Sequence, residues 1–197
     1  MVEILIGTNN KDKLGQFTKI FESLDNSIKL FSLEDFRIKD DVEEDSGNLL
    51  DNAKKKAKYY GEKSKTPTLA DDTGLFIDAL NGEPGIHSRR WLLGTEKDRY
   101  NKILERMKNI PQEKRTCRYK GVLVFYDPAE KDFWTYEQDL EGIIADRPKE
   151  GSGFGYDPIV IIKGYNKYYS EFSDKERFQI SHRGLGVKKL LEYLGRK

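Results

Sequence analysis

The sequence predicts an α/β fold built on a mixed sheet. Two observations carry this. Short apolar runs rich in β-branched residues interleave with segments whose apolar residues recur at helical spacing. Two long strand-like runs, residues 116–126 and 133–144, also face each other across a turn at Asp127-Pro128. No internal repeat, low-complexity tract or linker interrupts the 197 residues. They read as one domain, 1–197, long enough to bury a core without disulfides or metal staples.

Taken in order, residues 2–6 are a short apolar run ending at Gly7, the pattern of a buried strand. Leu14, Phe17, Ile20, Phe21 and Leu24 then repeat at helical spacing, with Thr8, Asn9 or Asn10 as the cap. A helix N-terminus there offers free N–H groups and a favourable dipole to phosphate. Residues 28–33 read as a second strand, and 37–45 as an acidic connection. Leu49, Leu50, Ala53, Ala57 and Tyr60 mark a second helix with lysines on its other face. Leu69-Ala70 reads as a strand running into Asp71-Asp72-Thr73-Gly74, followed by an apolar segment over 75–80. Asn81-Gly82 and Pro84-Gly85 are turn dipeptides. Residues 98–107 are helical in pattern, 159–162 form a short β-branched run, and Leu185, Val187, Leu190, Leu191 and Leu194 give a closing amphipathic helix.

Composition narrows the partners. Lys and Arg number 35 against 34 Asp and Glu, a net charge of +1. Bulk charge therefore does not point to a nucleic-acid backbone, which a basic excess would mark. Cys117 is the single cysteine, so no internal disulfide forms, as suits a reducing cytoplasm. The first residues carry an acid within only a short apolar run, unlike a signal peptide. Nothing approaches the roughly 18 apolar residues of a membrane span.

Five segments can carry chemistry. Gly151-Ser152-Gly153-Phe154-Gly155-Tyr156-Asp157-Pro158 combines glycines, which permit close backbone approach, with rings that can stack on a nucleobase. The same pattern also suits a tight loop whose rings pack in a core. Thr8-Asn9-Asn10-Lys11-Asp12-Lys13 offers a hydroxyl, amides and point charges to phosphate, or is simply a capped helix start. It lacks the glycine spacing of a Walker loop.

Glu43-Glu44-Asp45 precede the second helix, either as hard oxygen ligands for Mg²⁺ or as acids complementing a helix dipole. The lysines at 54, 55 and 56 read as a solvated face from which one side chain can turn inward. In Asp71-Asp72-Thr73-Gly74, two adjacent carboxylates need a compensating cation or hydroxyl, or else cap a turn. Ser181-His182-Arg183 places donors at one spot before the last helix, for a carbonyl or phosphate oxygen or for solvent. No histidine or cysteine cluster has zinc spacing, and no Gly-x-Ser-x-Gly elbow appears.

Taken together and in this order, these segments resemble the inosine triphosphate pyrophosphatase family, from Leu5 to about Leu194. The marks are Thr8 to Lys13, Asp51-Asn52-Ala53 with Lys56-Ala57, Ala70-Asp71-Asp72-Thr73-Gly74, Pro84-Gly85, the 151–158 loop and Ser181-His182-Arg183. This chain departs from the family pattern at four places. Thr73 replaces a usual Ser and keeps the hydroxyl. Ser46-Gly47 inverts a common acidic-x-Gly arrangement, with Glu44 still at the acidic position. Arg177 replaces a common Lys and meets phosphate or base differently. Gln16 stands where Glu is common.

The resemblance implies an elongated fold with a central mixed twisted sheet, flanking helices, and two lobes around an active-site cleft. It also implies a homodimer that depends on Mg²⁺. The implied reaction converts a nucleoside triphosphate and water to the monophosphate and pyrophosphate. The implied substrates are the deaminated purines ITP, dITP and XTP.

Thr8, Asn9, Asn10, Lys11, Lys13 and Lys56 would then position the triphosphate. Glu44 and Asp72 would hold the metal, with Asp72 also orienting or deprotonating water and Thr73 beside it. Phe154 would stack on the purine, with Gly155, Tyr156 and Asp157 shaping the loop and touching base or sugar. His182 and Arg183 would donate to the 6-oxo group, and Arg177 would contact phosphate or base.

Three other readings compete. They are a Maf-like pyrophosphatase acting on canonical or modified pyrimidine nucleotides, a non-catalytic nucleotide-binding module, and an RNA-binding protein. The 151–158 loop and Ser181-His182-Arg183 favour the inosine reading over the first. The carboxylates Glu44, Asp71 and Asp72 argue against the second, and balanced charge argues against the third.

Overall fold

The computed structural model describes residues 2–25, 27–149, 151 and 153–195. Ser152 of the glycine-rich loop lies outside them. In chain order the elements are β1 (Glu3–Ile6), α1 (Lys11–Leu24), β2 (Lys29–Phe31), α2 (Leu49–Ser64), β3 (Thr68–Ile77), β4 (Pro84–Gly85), α3 (Glu96–Met107), β5 (Thr116–Asp127), β6 (Asp132–Ile144), β7 (Val160–Ile162), β8 (Lys167–Tyr168), α4 (Asp174–Ile180) and α5 (His182–Leu194). The sheet order is β2-β1-β3-β5-β6-β7-β8, with β4 on β3. β1 runs parallel to β2 and β3, whereas β6–β7, β7–β8 and β3–β4 are antiparallel. The expected central mixed sheet flanked by helices is therefore present.

Two compact units divide the chain. The first contains Met1–Asp72, Gly121–Gln138 and Ser181–Lys197; the second contains Thr73–Lys120 and Asp139–Ile180. Within the first, β1 is buried at Ile4, Leu5 and Ile6, a near-continuous apolar run suited to a strand covered on both faces. α1 buries Phe17, Ile20 and Phe21 and starts at Asn10, whose side chain accepts from the Asp12 and Lys13 amides. α2 buries Leu49, Ala53, Ala57 and Tyr60. Its Tyr60 joins Leu5, Leu33, Ile38 and Val42 in one apolar cluster. α5 is capped by Ser181, which accepts from the Gly184 amide. This helix packs on α1.

The second unit is organised around Leu75, Ile77, Tyr100, Ile103, Met107, Ile144, Tyr156, Ile159, Val160, Ile162 and Phe172. A capping box between Thr95 and Asp98 starts its α3. No helix of the described residues is long and apolar enough to cross a membrane.

Three elements differ from the sequence reading. Asp71 and Asp72 lie inside the ten-residue strand β3, not beyond the end of a strand. Pro84-Gly85 is a short strand as well as a turn. Gly74 permits this, because a Cβ there would overlap the Gly85 carbonyl. Finally, α4 forms over a stretch with no helical apolar period.

Candidate active site

β3 alternates its side chains between two faces, so its two consecutive carboxylates meet different partners. Asp71 is 1 % exposed. Its Oδ2 accepts from Arg183 Nη2 at 2.6 Å and Nε at 3.0 Å, and its Oδ1 lies 3.1 Å from Lys13 Nζ. His182 Nε2 stands 3.6 Å from the same Oδ2. Burial pushes the Asp71 carboxyl up, but Arg183 and Lys13 outweigh it and hold the group well below the usual carboxylate range. Burial also lowers the Lys13 ammonium, against the pull of Asp71. Arg183 also donates from Nη1 to Gln16 Oε1 at 2.9 Å.

Asp72 faces Lys56, with Oδ1 3.5 Å from Nζ. The same ammonium donates to Glu44 Oε1 at 2.7 Å and to the Asp71 carbonyl at 2.7 Å. Burial raises the Asp72 carboxyl despite Lys56. Burial works to lower Lys56, but Asp72 and Glu44 outweigh it and raise the ammonium. The connection carrying Glu44 is braced from α2, where the buried Asn52 accepts from the Ser46 amide at 3.0 Å. Of Lys54, Lys55 and Lys56 on α2, Lys56 is the one turned inward; Lys55 pairs with Asp45 at the surface.

Glu44 and Asp72 are hard oxygen donors meeting at one ammonium. Among the described residues, no group of three or more His, Cys, Asp or Glu side chains gathers for a metal. Two carboxylates completed by substrate phosphates and water are the donor set that suits Mg²⁺, so these residues fit that ion.

His182 lies over Gly121 of β5, where a Cβ would overlap its ring. Burial and the neighbouring Arg183 lower its pKa to about 4, against Asp71, so the imidazole is neutral at pH 7. Around the first turn of α1, Thr8 Oγ1 accepts from the Asn10 amide at 3.2 Å. Asn9 reaches the Asp40 carbonyl at 3.2 Å, and Lys11 is exposed. Lys13, Lys56, Glu44, Asp71, Asp72, His182 and Arg183 are thus gathered in the first unit, while Thr8, Asn9 and Asn10 shape the turn beside Lys13.

The remaining candidates lie in the second unit. Phe154 is half-buried in its loop. Asp157 Oδ2 accepts from the Phe154 amide at 3.1 Å and from Arg177 Nη1 at 2.8 Å, and Oδ1 accepts from the Tyr119 hydroxyl at 2.9 Å. Burial raises the Asp157 carboxyl in spite of Arg177. The Gly155 amide donates to Glu96 Oε2 at 2.8 Å. Tyr156 is buried, and its hydroxyl donates to the Ser88 carbonyl at 2.6 Å. Thr73 follows Asp72 and is half-buried. Sequence reasoning singled out neither Tyr119 nor Gly121, and it treated Gln16 only as a departure. No local pattern marks any of the three.

Residues 4–193 match the Ham1 family. A dITP/XTP pyrophosphatase of Bacillus subtilis is 36% identical over 196 residues, covering 98% of each chain. One of Thermoanaerobacter pseudethanolicus is 34% identical, over 98% of this chain and 96% of its own. Among solved structures, a HAM1 protein from Coxiella burnetii superposes with a TM-score of 0.87 at 30% identity over 100% of both chains. The Staphylococcus aureus Ham1 protein gives 0.84 at 30% identity, over 99% of this chain and 100% of its own.

Proposed function

We infer, from the premise that the chain belongs to the Ham1 family, that it is a nucleoside triphosphate pyrophosphatase. It hydrolyses non-canonical purine nucleoside triphosphates such as ITP, dITP and XTP to the monophosphate and pyrophosphate. The observation that carries this reading is the convergence of Glu44 and Asp72 on Lys56, beside the Asp71–Lys13–Arg183 cluster, in a chain matching dITP/XTP pyrophosphatases over nearly its whole length.

In this proposal Glu44 and Asp72 hold Mg²⁺. When bound, the ion neutralises phosphate charge and polarises the phosphoryl group for attack by water. Lys13 and Lys56 supply fixed positive charge to the triphosphate, and the turn at Thr8, Asn9, Asn10 and Lys11 supplies hydroxyl, amide and ammonium donors. Phosphoryl transfer is mostly positioning and charge stabilisation, so preorganised cations lower its barrier without rearrangement. Asp72 orients the attacking water, and its raised pKa suits a group that takes up a proton.

Family resemblance assigns Phe154 to the purine face and His182 and Arg183 to the 6-oxo group. An amino group at that position would oppose donor to donor, and buried donors left unpaired reject the wrong base strongly. Thr73 is assigned beside Asp72. Gly155, Tyr156, Asp157 and Arg177 are assigned to the base-side loop.

The resemblance also supports a single catalytic domain over 1–197 and a homodimer, and the single cysteine suits a cytoplasmic location. The test is product analysis after incubation with ITP and Mg²⁺. Inosine monophosphate with pyrophosphate supports the reading; diphosphate with orthophosphate, or no turnover, refutes it.

A further inference from the structure

We propose that Tyr119 is a positioning residue for purine recognition, its hydroxyl acting through Asp157 to fix the backbone that presents Phe154. The inference rests on the assignment of Phe154 to the purine face.

The chain of contacts is short and converges on the buried Asp157. Tyr119 donates to Asp157 Oδ1, and Asp157 Oδ2 receives the Phe154 amide. Arg177 shares that Oδ2 through Nη1 and is itself fixed. Its Nε donates to the Phe172 carbonyl at 3.2 Å, its Nη2 donates to the Tyr169 carbonyl, and the guanidinium lies 4.2 Å from the Tyr169 ring centroid. Asp157 and Arg177 are only 5 % and 4 % exposed. Their charges therefore satisfy each other and the loop, which makes them a clamp more than a ligand-facing pair.

The loop is threaded closely against this clamp. Gly153 has φ +100°, and a Cβ there would overlap Asp157 Oδ2 and Arg177 Nη2. A shift of the Asp157 carboxylate is therefore transmitted to Phe154. Tyr119 sets that carboxylate's rotation, because loss of the hydroxyl would leave Oδ1 without this donor in a buried setting, and a buried acceptor is costly to leave unmet. Burial and Asp157 hold the Tyr119 hydroxyl well above its ordinary pKa, so it remains a donor at any working pH.

The test is Tyr119→Phe, read by kinetics and by hydrogen exchange. A hydrogen bond to a charged group corresponds to a roughly tenfold or greater rise in KM for ITP, with kcat within about twofold of wild type. In a Phe154→Ala background the same change should leave KM within about twofold, because the route through Phe154 is already gone. The Phe154 amide should exchange faster in Tyr119→Phe while the 122–126 amides of β5 stay protected. Asp157→Asn provides a second variant and should reproduce both the KM rise and the faster exchange.

An unchanged KM, an undiminished effect in the Phe154→Ala background, or unchanged Phe154 exchange would overturn the proposal. A wild-type protein that releases no pyrophosphate from ITP overturns the functional reading instead. The exchange measurement then still decides whether Tyr119 holds the loop.

Discussion

Asp71 and Asp72 are neighbours on β3, yet Asp71 is bound by Arg183 and Lys13 while Asp72 faces Lys56 and, through it, Glu44. The pleat of one strand thus separates a carboxylate held fully ionised from one whose burial raises its pKa. The first organises cations; the second is the one we propose to hold the metal and orient water.

The two acids should therefore fail in different ways. Asp72→Asn should abolish pyrophosphate release while keeping or slightly raising the unfolding midpoint, since a buried carboxyl with a raised pKa is strained when ionised at pH 7. Asp71→Asn should lower stability by about 3–5 kcal/mol, because it leaves the buried Arg183 and the part-buried Lys13 without this counter-charge. Denaturant unfolding and a pyrophosphate assay on both variants check this. Equal stability losses would contradict it.

His182 gives a pH signature. Its pKa falls from 6.5 in the unfolded chain to about 4 in the fold, where Arg183, Lys13 and Asp71 surround it. Between those values the unfolded state binds more protons than the fold, so stability declines as pH drops from 6.5 towards 4. The full effect is at most about 3 kcal/mol. His182→Gln should flatten this part of the stability–pH curve relative to wild type, as followed by urea unfolding at several pH values. An unchanged slope would show that His182 is not buried neutral.

Arg183 pairs with Asp71 and is proposed to read the base, two duties that a charge-keeping substitution can separate. Arg183→Lys keeps a cation near Asp71 but loses the fork that reaches both Asp71 Oδ2 and Gln16. The ratio of kcat/KM for ITP over ATP should fall by about tenfold or more, as one base-reading donor is lost. An unchanged ratio places base reading elsewhere.

Phe154→Ala should raise KM for ITP more than it lowers kcat. Aromatic stacking contributes about 1–3 kcal/mol per base, and the carboxylates proposed to act on phosphate are untouched. Steady-state kinetics with ITP decide it; a fall confined to kcat would contradict the assignment.

The pattern of apolar residues revealed β1, α1, α2, α3, α5 and the β5–β6 hairpin to within a few residues, because the helices bury one face at helical spacing and β1 is a continuous buried run. α4 escaped because its buried residue is Arg177, and a hydrophobic pattern does not register a buried charge. Asp71 and Asp72 read as lying past a strand because acids inside a buried strand need partners. Those partners are supplied from far along the chain, with Arg183 112 residues away from Asp71. The candidate site residues were named through family resemblance. Tyr119 and Gly121 were not, since their roles exist only once β5 is set beside Asp157 in one case and His182 in the other.

The most direct test of the account is pyrophosphate release by the wild-type protein from ITP against ATP, each with Mg²⁺ and with the metal chelated. Mg²⁺-dependent release is expected, with kcat/KM for ITP at least about 100-fold above ATP. Equal rates on the two nucleotides, or full activity without metal, would contradict it.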